Sequence, residues 1–349
     1  MTVHRPPVRI AVLGAGAIAQ VVHLPILSRM RGVEIAAVSD RDAHTARTIA
    51  DRYGTRAVEA EAIWDDESIR AVVVCTPSHR HEENVRAALK AGKYVLCEKP
   101  LALTGDGVRR VLEEEGAAGR LLVGMNQRFR PDARALRSFI VSGELGDAYY
   151  LKTGWLNRTK PSGRLRSWRQ SRAAGGGALM DLGIQMLDLA LWTLGYPQPL
   201  RVSAHVHRVG DAEVEDAATL LLRLDGDRLV NLEVTWALIS RRDRQFMHVL
   251  GTAGSGTLSP LQVYRQMDTG LVDVAPSLAP NTENLFTASY RNELQHFIEV
   301  ARGEQKLRAP REHVRLMRIM EAAYQSASEG REIDLSGEGT ADGEPGTAT

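Results

Sequence analysis

Cysteine is almost missing from this chain of 349 residues: Cys75 and Cys97 are the only two, too few for a disulfide framework or a four-ligand zinc site. Their settings, VVVCTP and YVLCEKP, read as buried strand ends, which fits a reducing cytoplasm. Charge of one sign is missing as well. Lys plus Arg number 44 and Asp plus Glu 43, a net +1, so the positive excess that phosphate-backbone binding requires is lacking and nucleic acid is not an expected partner. No run approaches the 18 or more apolar residues of a membrane span. The apolar stretch in MTVHRPPVRIAVLGAG is interrupted by glycines and has no small-residue cleavage site after it. No repeat period is visible, which excludes solenoids and propellers. These absences leave a soluble, cytoplasmic protein whose expected partners are small, locally recognised ligands.

What is present is ordinary globular material, 44% apolar and 25% charged, and the length favours two domains. The first part alternates β-branched runs (Arg9–Leu13, Glu34–Ser39, Ala71–Cys75, Tyr94–Cys97, Leu121–Gly124) with helical patterns at Ala17–Arg29, Ala43–Tyr53, Glu82–Ala91 and Gly107–Glu115. That rhythm predicts a doubly wound parallel sheet, a Rossmann-type domain over residues 1–125. A helix near Pro131–Ser142, a strand at Ala148–Leu156, a basic glycine-rich loop ending in Gly175-Gly176-Gly177 and a long apolar helix from Ala178 to about Leu194 follow. From Leu200 to Val274, alternating runs separated by turn pairs such as Asp225-Gly226 predict an antiparallel sheet. Helices at Ser289–Arg302 and Arg311–Glu329 close an α+β domain over 126–335, and the apolar-poor tail 336–349 is expected to be disordered.

The first strand runs into Gly14-Ala15-Gly16-Ala17-Ile18-Ala19, a GxGxxA pattern opening a helix. Gly14 permits the tight turn, Gly16 lets backbone approach a pyrophosphate, Ala19 keeps helix and strand close, and the helix N-terminus offers free N–H groups. Asp40 ends the next strand about 20 residues on, where an acid accepts both ribose hydroxyls. It disfavours a 2′-phosphate and so favours NAD, although Arg41 beside it can clamp that phosphate and keeps NADP as an alternative. Thr76-Pro77-Ser78 and Glu98-Lys99-Pro100 fall at strand ends on the carboxyl edge of the sheet, where ligands bind in open α/β folds. Lys99 there is a proton shuttle as hydride moves, or else a surface lysine paired with Glu98.

With GAGAIA at 14–19, HLPIL at 23–27, CTPSHRHEENVRAALKAGKYVLCEKPLA at 75–102, NQRFRP at 126–131, GGGALMDLG at 175–183 and YRNELQHF at 290–297, the chain resembles the Gfo/Idh/MocA oxidoreductases, the family of glucose-fructose oxidoreductase and inositol dehydrogenase. The resemblance implies a nucleotide-binding domain followed by an open-faced, mainly antiparallel sheet that carries substrate and oligomer contacts. It implies cofactor contacts at Gly14, Gly16, Ala17, Ile18, Asp40 and Arg41, and at Thr76, Pro77, Ser78, His81, Glu98, Lys99, Asn126 and Arg128; for Arg128 an interdomain salt bridge is the alternative. It also implies that Lys99 is the acid/base at the reacting carbon and that Trp168, Arg169 and Tyr290 line the substrate, with Tyr290 alternatively capping the core. Pro100 is expected to follow a cis peptide, which would fix the turn that aims Lys99.

The chain departs from that pattern on its long helix, where family members commonly carry Asp and, four residues on, His on one face. Asp181 is there, but the second position is Gln185, which cannot carry a proton. A general base contributes roughly 10² to 10⁴ in rate, so its loss costs about 3–5 kcal/mol unless another group takes over. Lys99 can be that base with Gln185 orienting substrate; His23, Tyr290 or Asp188 can supply a proton path, His23 being alternatively a structural contact. Otherwise hydride transfer has been replaced by transient oxidation in a lyase or glycosidase, or lost in a sensor or partner subunit.

Arg158, Lys160, Arg164, Arg166, Arg169 and Arg172 surround Trp168. This is either a fork for a uronate, sugar phosphate or nucleotide-linked sugar, or a solvated loop. Arg241, Arg242 and Arg244 read as an exposed hairpin turn. His205 and His207 alternate on one strand face without a third ligand nearby, a sheet-surface pair with no metal. Leu229, Leu232 and Trp236 are expected on the open sheet face, whose covering predicts a homodimer or homotetramer. The expected activity is hydride transfer to or from a secondary hydroxyl or ketone of a sugar, sugar derivative or cyclitol.

Overall fold

A computed structural model describes residues 6–158, 168–209, 212–268, 270–277 and 284–337, so the tail expected at 336–349 lies almost wholly outside the described residues. The chain forms two compact units, Met1–Asn126 with Asn284–His313, and Gln127–Glu283 with Val314–Thr349.

In the first unit, β1 (Val8–Leu13), β2 (Val33–Ser39), β3 (Arg56–Ala57), β4 (Ala71–Val74), β5 (Tyr94–Glu98) and β6 (Leu121–Gly124) form an all-parallel sheet in the order β3-β2-β1-β4-β5-β6. That is the doubly wound order whose reversal between β1 and β4 opens a ligand crevice at the carboxyl edge. β1 and β4 are rich in β-branched residues, and with β5 these central strands are almost wholly buried, all four residues of β4 fully so. Asp42 caps the Ala43–Tyr53 helix by accepting from the His44 N–H at 3.1 Å, and Gly54 ends it at φ 63°.

The domain limits read from sequence run contiguously, whereas the compact units do not. The helix Leu285–Ala301 presents Leu294, Phe297, Ile298 and Ala301 at helical spacing, and these pack with Ile10, Val12, Leu24, Leu27 and Leu96 in the core of the first unit. Burying each of the large side chains is worth about 1.5–3 kcal/mol, which is why this late segment joins the early sheet. The helix expected over Ala17–Arg29 is a π-helical turn, Ala19–His23, followed by Leu24–Leu27. Pro25 has no N–H to continue an α-helical ladder there, and the Leu24 N–H bonds back to the Ala19 carbonyl.

The second unit is built on β7 (Ala148–Arg158), β8 (Pro199–His207), β9 (Ala217–Leu224), β10 (Arg228–Leu238), β11 (Arg244–Gly251), β12 (Gly254–Leu258), β13 (Gln262–Met267), β14 (Gly270–Asp273) and β15 (Ile333–Asp334). Their order is β14-β13-β12-β11-β7-β10-β9-β8-β15, and every pair is antiparallel except β7 with β10. The helix Ile184–Thr193, buried along its whole length, packs on β7 and β10. Val230, Leu232 and Val234 point to that covered face. Leu232 is therefore not on the open face as expected: strand alternation puts it opposite Leu229, and Trp236 is tied by its indole N–H to Asp216 Oδ1 at 3.0 Å. The open face is mixed: His205, His207, Thr219 and Arg223 are exposed, Lys152 pairs with Glu233 at 3.2 Å, and Leu221 and Leu250 are exposed among them. Arg241, Arg242 and Arg244 are exposed, as read from the sequence. Among the described residues no helix is long and apolar enough to cross a membrane, and no cluster of metal-ligating side chains occurs.

Candidate active site

The glycine loop follows β1 directly. Gly14 sits at φ 94°, and a Cβ there would stand 2.7 Å from backbone atoms of Cys75 and Thr76, so two sheet-edge loops touch only because it lacks a side chain. Gly16 is different: a Cβ would meet no protein atom within 4 Å. It faces open space at the loop's exposed rim, beside exposed Ala17 and half-buried Ile18. Asp40 is fixed at the end of β2, accepting from the Ala15 N–H at 2.7 Å and the Asp42 N–H at 2.9 Å, with Arg41 exposed next to it. An open cradle, a fixed carboxylate and a helix start with free N–H groups fit a dinucleotide.

The other two edge loops are clamped together. His81, at the start of the helix His81–Lys90, has Nδ1 at 2.7 Å from the Pro100 carbonyl and Nε2 at 2.7 Å from the Thr76 carbonyl. Burial pushes this ring below its usual pKa, against the pull of the two carbonyls. Asn84 donates to Thr76 Oγ at 3.0 Å, and the Pro77–Ser78 segment turns into the helix between them. The Lys99–Pro100 peptide is cis, as read from the sequence. Lys99 is half-buried, and its backbone N–H donates to Glu98 Oε2 at 3.3 Å. Glu98 Oε1 in turn lies 2.7 Å from Nε2 of the fully buried His23. Burial opposes charge on this pair, but the Cys75 sulfur and the Glu98 carboxylate outweigh it and raise the His23 pKa, while His23 holds Glu98 below the usual carboxylate range. Tyr290 is buried edge-on to His23 at 5.7 Å and to Phe286 at 5.1 Å. Asn126 donates to Ser289 Oγ at 2.9 Å, and its Oδ1 is buried with no hydrogen-bond partner among the described residues.

In the second unit Asp181 lies in a π-helical turn, Leu179–Gly183. Its Oδ2 accepts from Arg169 Nε at 2.9 Å, and the Arg169 guanidinium stacks on Trp168 at 4.7 Å. Gln185 donates to the Asp181 backbone carbonyl at 2.9 Å, so the amide is tied along the helix. Two of the three loop glycines allow close approach: a Cβ on Gly176 would strike the Arg169 carbonyl, and one on Gly177 the Glu215 carboxylate. Glu215 was not legible in the sequence, being one acid in an acidic turn. It is buried, accepts from the Leu179 N–H at 2.9 Å and from Tyr324 Oη at 3.0 Å, and so caps the turn that carries Asp181. Burial raises its pKa. Arg128 donates to both oxygens of the fully buried Asp188, and Tyr196 Oη adds a bond at 2.7 Å. This pair lies within the second unit, so Asp188 is held as an anchor for Arg128. Of the basic loop, Lys160, Arg164 and Arg166 lie outside the described residues; Arg158 pairs with Asp243 at 3.1 Å.

Residues 8–126 match the oxidoreductase family's NAD-binding Rossmann fold, and residues 137–335 match its C-terminal alpha/beta domain. The chain belongs to the Gfo/Idh/MocA oxidoreductase family. It is 29% identical to D-glucoside 3-dehydrogenase of Escherichia coli (strain K12), over 94% of this chain and 98% of that protein. It is 28% identical to inositol 2-dehydrogenase of Rhizobium meliloti (strain 1021), over 94% and 99%. GenD2 from gentamicin A biosynthesis, solved in complex with NAD, superposes with a TM-score of 0.80 at 26% identity, covering 95% of this chain and 97% of that one. The glycine loop and Asp40 thus belong to the NAD-binding half of a family oxidoreductase, and the Asp181 helix to its C-terminal half.

Proposed function

We propose that this family member is an NAD-dependent dehydrogenase or reductase acting on a secondary hydroxyl, or the matching ketone, of a sugar, sugar derivative or cyclitol, with Lys99 as its acid/base. The observation that carries the reading is the mounting of Lys99 at the carboxyl edge of β5, fixed through Glu98 on one side and the His81 clamp on the other. When bound, NAD supplies the hydride acceptor. In the oxidative direction Lys99 Nζ takes the hydroxyl proton; in the reductive direction it returns it. Asp181, already opposed by Arg169, orients hydroxyls, and the Gln185 amide positions them without carrying a proton. Arg169 spends its charge on Asp181, which favours a neutral polyol over a uronate or phosphate. The carboxylate of Asp40 favours NAD over NADP. Two buried free thiols suit a reducing cytoplasm, and a homodimer or homotetramer through the open sheet face belongs to the same reading.

The test is absorbance at the reduced-nicotinamide band with NAD and with NADP, across neutral sugars, cyclitols and uronates. A rise with one neutral class supports the reading. The imidazole-free position at Gln185 favours one alternative, a non-redox use of bound NAD; NAD binding without net reduction by any substrate would select it.

A further inference from the structure

We propose that Glu215 is a positioning residue for the substrate half of the site, setting where the Asp181 carboxylate and the Arg169 guanidinium stand. It lies in the second unit just before β9 and holds the start of the Leu179–Gly183 turn twice. Its backbone carbonyl accepts from the Ala178 N–H at 3.0 Å, and its Oε1 from the Leu179 N–H at 2.9 Å. A helical start leaves such donors unpaired, and Ala178, the residue at the cap, has no side-chain acceptor to offer them. The same backbone carries the two functional side chains. The Gly177 carbonyl accepts from the Asp181 N–H at 2.9 Å, and the Gly177 N–H donates to the Arg169 carbonyl at 3.0 Å. Gly177, at φ 114°, is thus the joint between Arg169 and Asp181, and the Glu215 carboxylate packs where its Cβ would be. Across that joint Arg169 Nε meets Asp181 Oδ2 at 2.9 Å. Glu215 is itself anchored to rigid elements. It is 1% exposed, and the Tyr324 hydroxyl, on the helix Glu312–Glu329, donates to the same Oε1 at 3.0 Å. The next residue, Asp216, accepts from the Trp236 backbone N–H at 3.1 Å and from its indole N–H at 3.0 Å, which ties the segment to β10. A misplacement of about 1 Å in a substrate-orienting group can cost about 10² in rate, so an acid that never touches substrate still governs turnover.

The inference rests on Asp181 orienting substrate, and the experiment separates the two. Glu215→Gln keeps the acceptor oxygen and loses the charge, whereas Glu215→Asp keeps the charge and loses the reach. In the full-length, cofactor-free protein, amide hydrogen exchange at Leu179 and Asp181 should run at least about tenfold faster in Glu215→Asp and stay close to the parent in Glu215→Gln, with Leu222 and Val230 in the sheet unchanged in both. Unchanged exchange in Glu215→Asp, equal loosening in Glu215→Gln, or a rise shared with the sheet amides overturns the proposal. Turnover is read with NAD and two neutral probes, myo-inositol and methyl glucoside. Glu215→Asp should lower kcat/KM by about 10 to 10² with NAD affinity kept. In an Asp181→Asn background the same change should add less than about threefold, because the group it places is already gone; losses that multiply independently overturn the proposal. Parent-like turnover in Asp181→Asn would instead sink the orienting role of Asp181, and no reduction of NAD by either probe the neutral-polyol reading; the exchange rates decide the placement of the turn in either case.

Discussion

Gly14 and Gly16 stand two residues apart in one loop, yet alanine at each should fail in a different way. At Gly14 the backbone is in the left-handed region and a Cβ would lie 2.7 Å from Cys75 and Thr76 backbone atoms that cannot swing aside. The left-handed conformation costs about 1–2 kcal/mol, and relieving an overlap with backbone adds about 1–3 kcal/mol. Gly14→Ala should therefore lose about 2–5 kcal/mol of stability, read as a lower urea midpoint. At Gly16 a Cβ meets no protein atom within 4 Å and the backbone is not left-handed, so Gly16→Ala should stay within about 0.5 kcal/mol of the parent. Its effect should fall on the ligand, since the methyl would occupy the space open to the pyrophosphate. Calorimetric titration should show NAD affinity reduced at least about tenfold, or 1.4 kcal/mol. Unchanged NAD affinity in a folded Gly16→Ala protein would refute the placement of the dinucleotide, and a fully stable Gly14→Ala protein would refute the packing argument.

Lys99→Ala should lower turnover by roughly 10² to 10⁴ while leaving NAD binding nearly intact, checked by steady-state rates beside calorimetry. Asp188→Ala leaves the Arg128 guanidinium without its bidentate partner in a mostly buried site, and should cost about 3–5 kcal/mol in urea unfolding. Stability should also depend on pH through His23 and Glu98. The raised His23 pKa contributes fully below its ordinary value of about 6.5 and is lost as pH rises toward about 10. The lowered Glu98 pKa contributes above its ordinary value and is lost as pH falls through the folded one. Urea midpoints should accordingly decline between neutral and alkaline pH more steeply in the parent than in His23→Gln; parallel curves would contradict the ion pair.

Much of the first unit was legible because its strands are β-branched runs and its glycine loop obeys steric rules that few other patterns satisfy. Leu121–Gly124 and Ala43–Tyr53 were read with the bounds they have. What escaped the sequence lacks a local signal. β3 is two exposed residues, and β15 is two residues, buried Ile333 and exposed Asp334, at the far edge of the other sheet. The parallel pairing of β7 with β10 depends on strands about 70 residues apart, beyond the reach of alternation. Leu232 differs in parity from Leu229 along β10, so the pleat turns it to the covered face although both are apolar. At the site, Lys99, Asp40 and Asp181 were legible as chemical types at strand and helix ends. The partners that fix them, His23 for Glu98, Arg169 for Asp181 and Glu215 for the Asp181 turn, are contacts across sequence that no spacing announces.

The late helix that completes the first core has a consequence for synthesis. A ribosome delivers the whole parallel sheet by Asn126, but Leu294, Phe297, Ile298 and Ala301, which cover part of it, emerge only after the intervening strands. At roughly 5–20 residues per second the sheet waits about 10–35 s with an uncovered apolar face. The nascent chain should therefore bind holdase chaperones through most of that interval, and a fragment ending at Asn126 should aggregate where the full chain does not.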